Sequence, residues 1–262
     1  MLLSQAFAAD DPSATEIINR SVKANMNDWS AAPGYDHCER VKNKDGSKTF
    51  AVIMLLGSPY RRLTLVNGKP LSQRDEQREA RQFKEAVAKR RAESPAGRKA
   101  RIAKYDESRS RDHEMLAQMT KAFDFKRVGK GELDGHEVFV LAATPRPGYQ
   151  PPTANAQALT GMAGKLWVDT AGFQWVKVQA AVKRPVSIHG FLATVEPGTR
   201  FELEKTPVSG GMWLPRHFSV RAHAQVLFIF SHDRQEDDTF FNYTKSTGDL
   251  DDHLTCAEPS GN

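Results

Sequence analysis

The sequence has only two cysteines, Cys38 and Cys256, and they lie at opposite ends of a chain of 262 residues. No C-x-x-C pair exists, which excludes thioredoxin-like chemistry and zinc ribbons, because both need closely paired cysteines. In an oxidising compartment the two thiols could instead form a disulfide bond, which requires Cα atoms within about 7 Å of each other. The sequence alone leaves this pairing open.

Long apolar runs and catalytic signatures are also missing. No window of about 18 uninterrupted apolar residues occurs, so the sequence predicts no transmembrane helix. It contains no G-x-S-x-G elbow, no glycine-rich phosphate loop and no H-E-x-x-H helix. His136 and Glu137 begin like the last motif, but Val140 stands where its second histidine is required. We therefore predict that the protein is not an enzyme and needs no cofactor or metal.

The first residues resemble the end of a signal peptide. A short apolar run ends in Ala6-Phe7-Ala8, the small-residue pattern that signal peptidase cleaves, and Asp10-Asp11-Pro12 follows as a polar start. The run is short and lacks a positive n-region. We interpret residues 1–9 as a residual signal peptide and expect a periplasmic or otherwise exported protein. The alternative is a frayed terminus that merely looks like a cleavage site.

Charge is concentrated in residues 72–123. Bases outnumber acids there by the whole net charge of the protein, which is +5. Ser72 and Asp75 form a capping-box-like start, and Ser94-Pro95 divides the segment into two predicted helices. One interpretation is a solvated helical hairpin stabilised by i,i+4 ion pairs. The other is a basic patch for anionic lipid or a protein partner. The segment lacks interleaved aromatic residues, so we do not predict nucleic acid binding.

Outside the hairpin, an N-terminal helix precedes a series of strands. Ile17, Ile18 and Val22 recur at helical spacing after Ser13, and Pro33-Gly34 ends the helix. Apolar residues occupy every second position from Phe218 to Phe230, the period of a half-buried strand. The run is long for a strand, which favours a curved, barrel-like sheet.

Two polar segments are predicted to interrupt the strands. Residues 144–152 are rich in proline and predict an extended loop. Asp233, Glu236, Asp237 and Asp238 predict a polar turn after Phe230. We expect one mostly antiparallel α+β domain over residues 10–245, with the helical insertion at 72–123 and a polar tail at 246–262.

Aromatic residues are the candidates for a binding site, because they fall in the predicted strands. They make either an ordinary core or the lining of a wide apolar cavity that few other elements cover. If the cavity exists, we expect its ligand-binding residues to be Tyr60, Trp167, Trp175, Phe218, Val220, Val226, Phe228 and Phe230.

The layout resembles the LolA/LolB-like lipoprotein-carrier superfamily, and more narrowly a group of uncharacterised exported bacterial proteins described as outer-membrane lipoprotein-sorting-like. The residues that carry the resemblance, which spans about Ser13 to Tyr243, are Gly57-Ser58-Pro59-Tyr60-Arg61-Arg62-Leu63, Ala122-Phe123-Asp124-Phe125, Thr144-Pro145-Arg146-Pro147-Gly148-Tyr149-Gln150-Pro151-Pro152, Gly164-Lys165-Leu166-Trp167 and Glu196-Pro197-Gly198-Thr199. The resemblance implies a curved antiparallel half-barrel with an N-terminal helix and with the charged hairpin as a lid. It also implies that acyl chains bind inside the concave sheet. The long charged hairpin departs from the simple carrier pattern.

Two functions are therefore expected from the sequence. The first is a periplasmic binding or carrier protein for lipid or for the acyl chains of lipoproteins. The alternative is an envelope adaptor that binds a protein partner through the basic hairpin. A deep apolar cavity favours the first, and a filled core beneath an exposed basic face favours the second.

Overall fold

A computed structural model describes residues 11–188, 193–226, 230–247 and 254–257 of the chain. It has an N-terminal helix and one large antiparallel sheet. The helices are α1 (Ala14–Ala31), α2 (Gln73–Arg91), α3 (Pro95–Ala122) and the short α4 (Ala154–Gln157), with 3-10 turns at Ala32–Gly34 and Ala158–Gly161. None of the helices in the described ranges is long and apolar enough to span a membrane.

The strands occur in three groups along the chain. Before the hairpin lie β1 (Tyr35–Asn43), β2 (Gly46–Leu55), β3 (Ser58–Val66) and β4 (Lys69–Pro70). After it come β5 (Phe123–Leu133), β6 (His136–Pro145), β7 (Met162–Asp169), β8 (Trp175–Val182), β9 (Val186–Ile188) and β10 (Ala193–Val195). The last three are β11 (Arg200–Val208), β12 (Met212–Val226) and β13 (Phe230–Lys245).

These strands form one open sheet in the order β4-β3-β2-β1-β13-β12-β11-β8-β7-β6-β5, with β10 paired to β12 and to β9. In the described ranges β4 and β5 are its two edges, and no pairing joins them into a closed barrel. The chain runs from one edge to the other through α2 and α3. The predicted α+β fold, an antiparallel sheet with an N-terminal helix and an inserted helical hairpin, is confirmed.

Side-chain caps set the helix starts that the sequence indicates. Ser13, Ser72 and Ser94 are the N-cap residues of α1, α2 and α3, and each hydroxyl accepts a hydrogen bond from the backbone three residues later. Pro95 occupies the first turn of α3, where a missing N–H group costs nothing. The division of the hairpin at Ser94 therefore follows from local chemistry.

Two local predictions were wrong. The acids from Asp233 to Asp238 do not form a turn, because they lie within β13, a strand that pairs with β1 on one side and β12 on the other. Thr144 and Pro145 extend β6 instead of starting the loop. Pro145 is the last strand residue, a position where its missing N–H group breaks little of the ladder.

The main core lies between α1 and the sheet. Ile17 and Ile18 of α1 pack against buried side chains of β6, β7 and β8, among them Leu141 and Leu166. A second core lies under α2, where Phe83 packs against Ala51 and Ile53 of β2. Each core covers one part of the sheet. A ligand could bind to the part that neither core covers.

Candidate binding face of the sheet

The strand register shows which side chains share the face that α1 covers. Leu203 lies opposite Phe218, and Phe201 lies opposite Val220. Phe201 and Leu203 also pack against the cluster that contains Ile17. Paired residues of neighbouring strands point to the same side of a sheet. Phe218 and Val220 therefore both lie on the α1 side. Their alternation in the sequence predicts that they share one face.

The same face continues across the sheet with apolar side chains that are only half-buried. Phe218 pairs with Asp238 of β13, and Phe240, two residues further along β13, pairs with Glu39 of β1. The row runs on through Phe50 and Leu63. The apolar members of this row, together with Phe201 and Val220, are Phe50, Leu63, Phe218 and Phe240, and all are of intermediate exposure. We call these six side chains the open apolar face.

A cavity of 720 Å³ crosses β6, β7, β8, β11, β12 and β13. It lies on the face opposite to α1, because the paired residues Gln179, Glu202 and Ser219 that line it alternate with Phe201 and Val220 along their strands. Small residues make room for it in the first three of these strands: Ala142, Ala143, Ala163, Gly164, Ala180 and Ala181. At Gly164 an added Cβ would collide with the backbone oxygen of Gln179, so only glycine allows β7 and β8 to approach so closely there.

Charged residues also line the cavity. They are Lys165, Lys183, Arg200, Glu202, Arg221, Glu236 and Asp237. This cavity is therefore polar and is separated by the sheet from the open apolar face, whereas the sequence predicted a wide apolar cavity.

The other predicted ligand-binding residues do not all join this face. Trp175 is in the α1 core, where its indole N–H donates to the Ser21 hydroxyl at 3.1 Å. Trp167 lies on the opposite face, since it packs with Val138 and Val176. Phe228 lies outside the described residues, as do the side chains of Val226 and Phe230.

Tyr60 is also on the opposite face, below α2. Its ring lies 5.4 Å from that of Phe83, and it pairs with Ile53 in the second core. The sequence placed Tyr60 and Trp167 with Phe218 because all three fall in strands. Which face each one takes depends on strand register and on bulges, which the residue types do not reveal.

Three carboxyl groups meet beside the open apolar face. Asp238 is 6% exposed, and one of its carboxyl oxygens has no hydrogen-bond partner among the described residues. Burial and the neighbouring carboxyls of Glu236 and Glu39 raise the pKa of Asp238 to about 7. Burial also raises the pKa of Glu39, although the guanidinium of Arg61, 2.8 Å away, opposes the shift. Asp238 is therefore partly protonated at neutral pH.

A buried polar network fixes α1 to the sheet. The ammonium of Lys205 on β11 donates to Asn25 at 2.7 Å and to Asp28 at 2.9 Å, and both members of the Lys205–Asp28 ion pair are almost completely buried. The side-chain amide of Gln174 donates to the second oxygen of Asp28. Sequence reasoning missed this network, and its one visible signal is the polar row Ser21, Asn25 and Asp28 on the helix face that also carries Ile17 and Ile18.

Glu202, Glu204 and His217 stand close enough to hold a metal ion. However, the ammonium of Lys177 lies 2.7 Å from Glu202 and 2.8 Å from Glu204. The guanidinium of Arg216 also pairs with Glu204, at 2.8 Å. Internal cations thus neutralise both carboxylates, and the group functions as an ion-pair network between β8, β11 and β12.

Two arginines hold the hairpin on the turn between β2 and β3. The guanidinium of Arg90 donates to the backbone oxygens of Leu55 at 2.6 Å and Ser58 at 2.7 Å. Arg101 of α3 donates to the Ser58 hydroxyl at 2.7 Å and forms an ion pair with Glu93 at 2.7 Å. These bonds tie both helices of the hairpin to one turn of the sheet, so the hairpin has a defined position.

No protein-family profile and no curated protein matches the sequence. Among solved structures, the chain is similar to an outer membrane lipoprotein-sorting protein domain from Vibrio parahaemolyticus, with 12% identity over 88% of this chain and 94% of that one and a TM-score of 0.31. It is also similar to a LolA superfamily protein from Nitrosomonas europaea, with 12% identity over 89% and 93% of the chains and a TM-score of 0.32. A DUF1329 family protein from Desulfovibrio piger gives 9% identity over 91% and 95% and a TM-score of 0.32. These likenesses concern the fold alone.

Proposed function

We propose that this is an exported binding or carrier protein for amphiphiles, which takes up the acyl chain of a lipid or of a lipoprotein. The observation that carries the proposal is the open apolar face, a row of half-buried apolar side chains that crosses β12, β13, β2 and β3. Half-buried aromatic rings on an uncovered sheet face offer apolar surface that a ligand can remove from water. Each buried methylene would contribute about 0.8 kcal/mol, so even part of an acyl chain gives useful affinity.

Charged groups beside the open apolar face support an amphiphile over a purely apolar ligand. The guanidinium of Arg61 lies 4.3 Å above the ring of Phe50, a member of the open apolar face, and it also forms an ion pair with Glu39. A polar headgroup can then stay hydrated or find a charged partner while the chain is buried. Nothing in this arrangement requires catalysis, and we propose none.

Export is supported by the disulfide bond between Cys38 and Cys256. Disulfides form and persist in oxidising compartments such as the periplasm and are rare in the cytosol. The pairing that the sequence left open is therefore present in the structure, and it agrees with the interpretation of Ala6-Phe7-Ala8 as a cleavage signal. Residues 1–10, where that signal lies, are outside the described residues.

Binding of a fluorescent fatty acid, cis-parinaric acid, tests the carrier function. Wild type should bind the probe, and Phe218→Glu should weaken binding more than tenfold, because it places a charge against the acyl chain at a cost of several kcal/mol. Val220→Ala, which adds no charge but removes apolar area from the open apolar face, should weaken binding by a smaller factor. Val128→Glu is the matched control, since Val128 is 51% exposed on β5.

Circular dichroism must show that each variant remains folded. If wild type binds no acyl probe, the carrier function is rejected and the adaptor becomes the leading function. If Val128→Glu loses binding as fully as Phe218→Glu, the site is not on the open apolar face.

A further inference from the structure

Charge is segregated around α2. With 100° between successive residues, five basic side chains fall on the half of the helix that is turned away from Phe83: Arg74, Arg78, Arg81, Lys84 and Lys89. All five are exposed, and Glu85 is the only acid on that half. The acids Asp75, Glu76 and Glu79 lie on the other half. In a helix that is only solvated, i,i+4 ion pairs would place both acidic and basic residues on each half.

Contacts with the sheet fix α2 so that its basic half faces away from the sheet. Phe83 is buried in the second core, and Arg90, on the same side of the helix, is bound to the turn between β2 and β3. Among the described residues, Arg74, Arg81, Lys84 and Lys89 form no ion pair, whereas Arg78 pairs with Asp75. The structure therefore presents a row of cations along a helix about 28 Å long.

We propose that the outer half of α2 is a docking surface for an anionic phospholipid bilayer. The reason to prefer a bilayer over an acidic protein is what the surface lacks. Beside the bases and Glu85, this half carries only Gln77, Gln82 and Ala88, so it has no large apolar or aromatic side chain. Protein interfaces depend on such anchors for most of their affinity. A charged headgroup layer needs only a row of bases, which attract it electrostatically.

This inference stands apart from the proposed cargo site. The basic half of α2 faces away from the sheet, and α2 packs on the face of β2 and β3 opposite to Phe218. A docked protein would therefore keep the open apolar face free. Loss of docking should leave binding of cis-parinaric acid unchanged, so the two proposals can fail separately.

Co-sedimentation with vesicles tests the docking surface. Wild type should bind vesicles of equal parts phosphatidylglycerol and phosphatidylcholine, fail to bind pure phosphatidylcholine, and lose binding as salt rises from 50 to 500 mM. The variant with Arg74, Arg81, Lys84 and Lys89 all changed to Gln should bind at least about 100-fold more weakly. Gln is a good helix former, so the thermal unfolding curve should be unchanged.

The matched control changes Lys23, Lys44, Lys69 and Lys126 to Gln. These exposed lysines lie outside α2, so the control loses the same net charge. It should retain most of the binding, and Glu85→Gln should increase binding. Equal losses in the two four-site variants would show that net charge alone drives binding and would overturn the proposal. Wild type that binds polyglutamate but not anionic vesicles would also overturn it, in favour of an acidic protein partner.

Discussion

The pKa of Asp238 lies far above the ordinary value of an aspartate. In β13 it faces Glu39 and Glu236, with Arg61 as the nearby cation, and its pKa rises from 3.8 to about 7. Below about pH 4 the carboxyl is protonated in both the folded and the unfolded state. Between pH 4 and 7 the folded state holds the extra proton, so the free energy of unfolding should fall as the pH rises.

Asp238→Asn should therefore stabilise the protein at pH 8 and have little effect at pH 4. Asparagine has the shape of the neutral carboxyl group and adds no charge beside Glu39 and Glu236. Thermal unfolding measured from pH 4 to 8.5 checks this, with the exposed Asp106→Asn as the control. An Asn variant that is less stable than wild type at pH 8 would contradict the raised pKa of Asp238.

The attachment of α1 depends on a polar contact in the middle of an otherwise apolar interface. Lys205→Met removes the ammonium and leaves the Asp28 carboxylate buried without its ion pair. We expect a loss of about 3–5 kcal/mol in the free energy of unfolding. Urea denaturation measures it, and Arg20→Gln, which removes an exposed pair with Glu16, should cost less than about 1 kcal/mol.

A double variant separates the ion pair from simple packing. Lys205→Met combined with Asp28→Leu removes both charges, so it should be more stable than Lys205→Met alone. If the double variant loses more stability than the single one, then the packing of these side chains, and not the unpaired charge, explains the result.

Elements whose signals are local could be predicted from the sequence, and elements defined by distant contacts could not. The serine caps and Pro95 define the helices, and the alternation from Phe218 onward defines β12. In contrast, β13 contains acidic residues that are typical of a turn. It is a strand because β1 and β12 pair with it on both sides. The contact between Asp28 and Lys205 joins residues 177 positions apart.

The candidate site shows the same limit. Phe218 and Val220 could be placed on one face because they lie on one strand, where alternation decides the direction of each side chain. Tyr60, Trp167 and Trp175 lie on other strands, and their faces depend on register. Bulges such as the one at Glu204/Lys205 reverse the direction of the residues that follow.

One covalent bond ties nearly the whole molecule together. The disulfide joins Cys38 of β1 to Cys256, 218 positions later, with Cα atoms 5.7 Å apart. Both cysteines are buried in the second core with Phe83. The bond thus holds the C-terminal segment against the same part of the sheet that supports the hairpin.

Removal of this bond should destabilise the whole protein. A bond that closes so long a loop restricts the unfolded chain, and its loss typically costs about 2–5 kcal/mol. Cys38→Ser combined with Cys256→Ser should lower the unfolding midpoint in urea accordingly, and wild type treated with dithiothreitol should unfold at nearly the same midpoint. Dithiothreitol should not affect the double variant, which controls for other effects of the reductant. Thiol counting on untreated, denatured wild type should find no free thiol, and two reactive thiols would show that the bond is absent and would remove the main structural support for export.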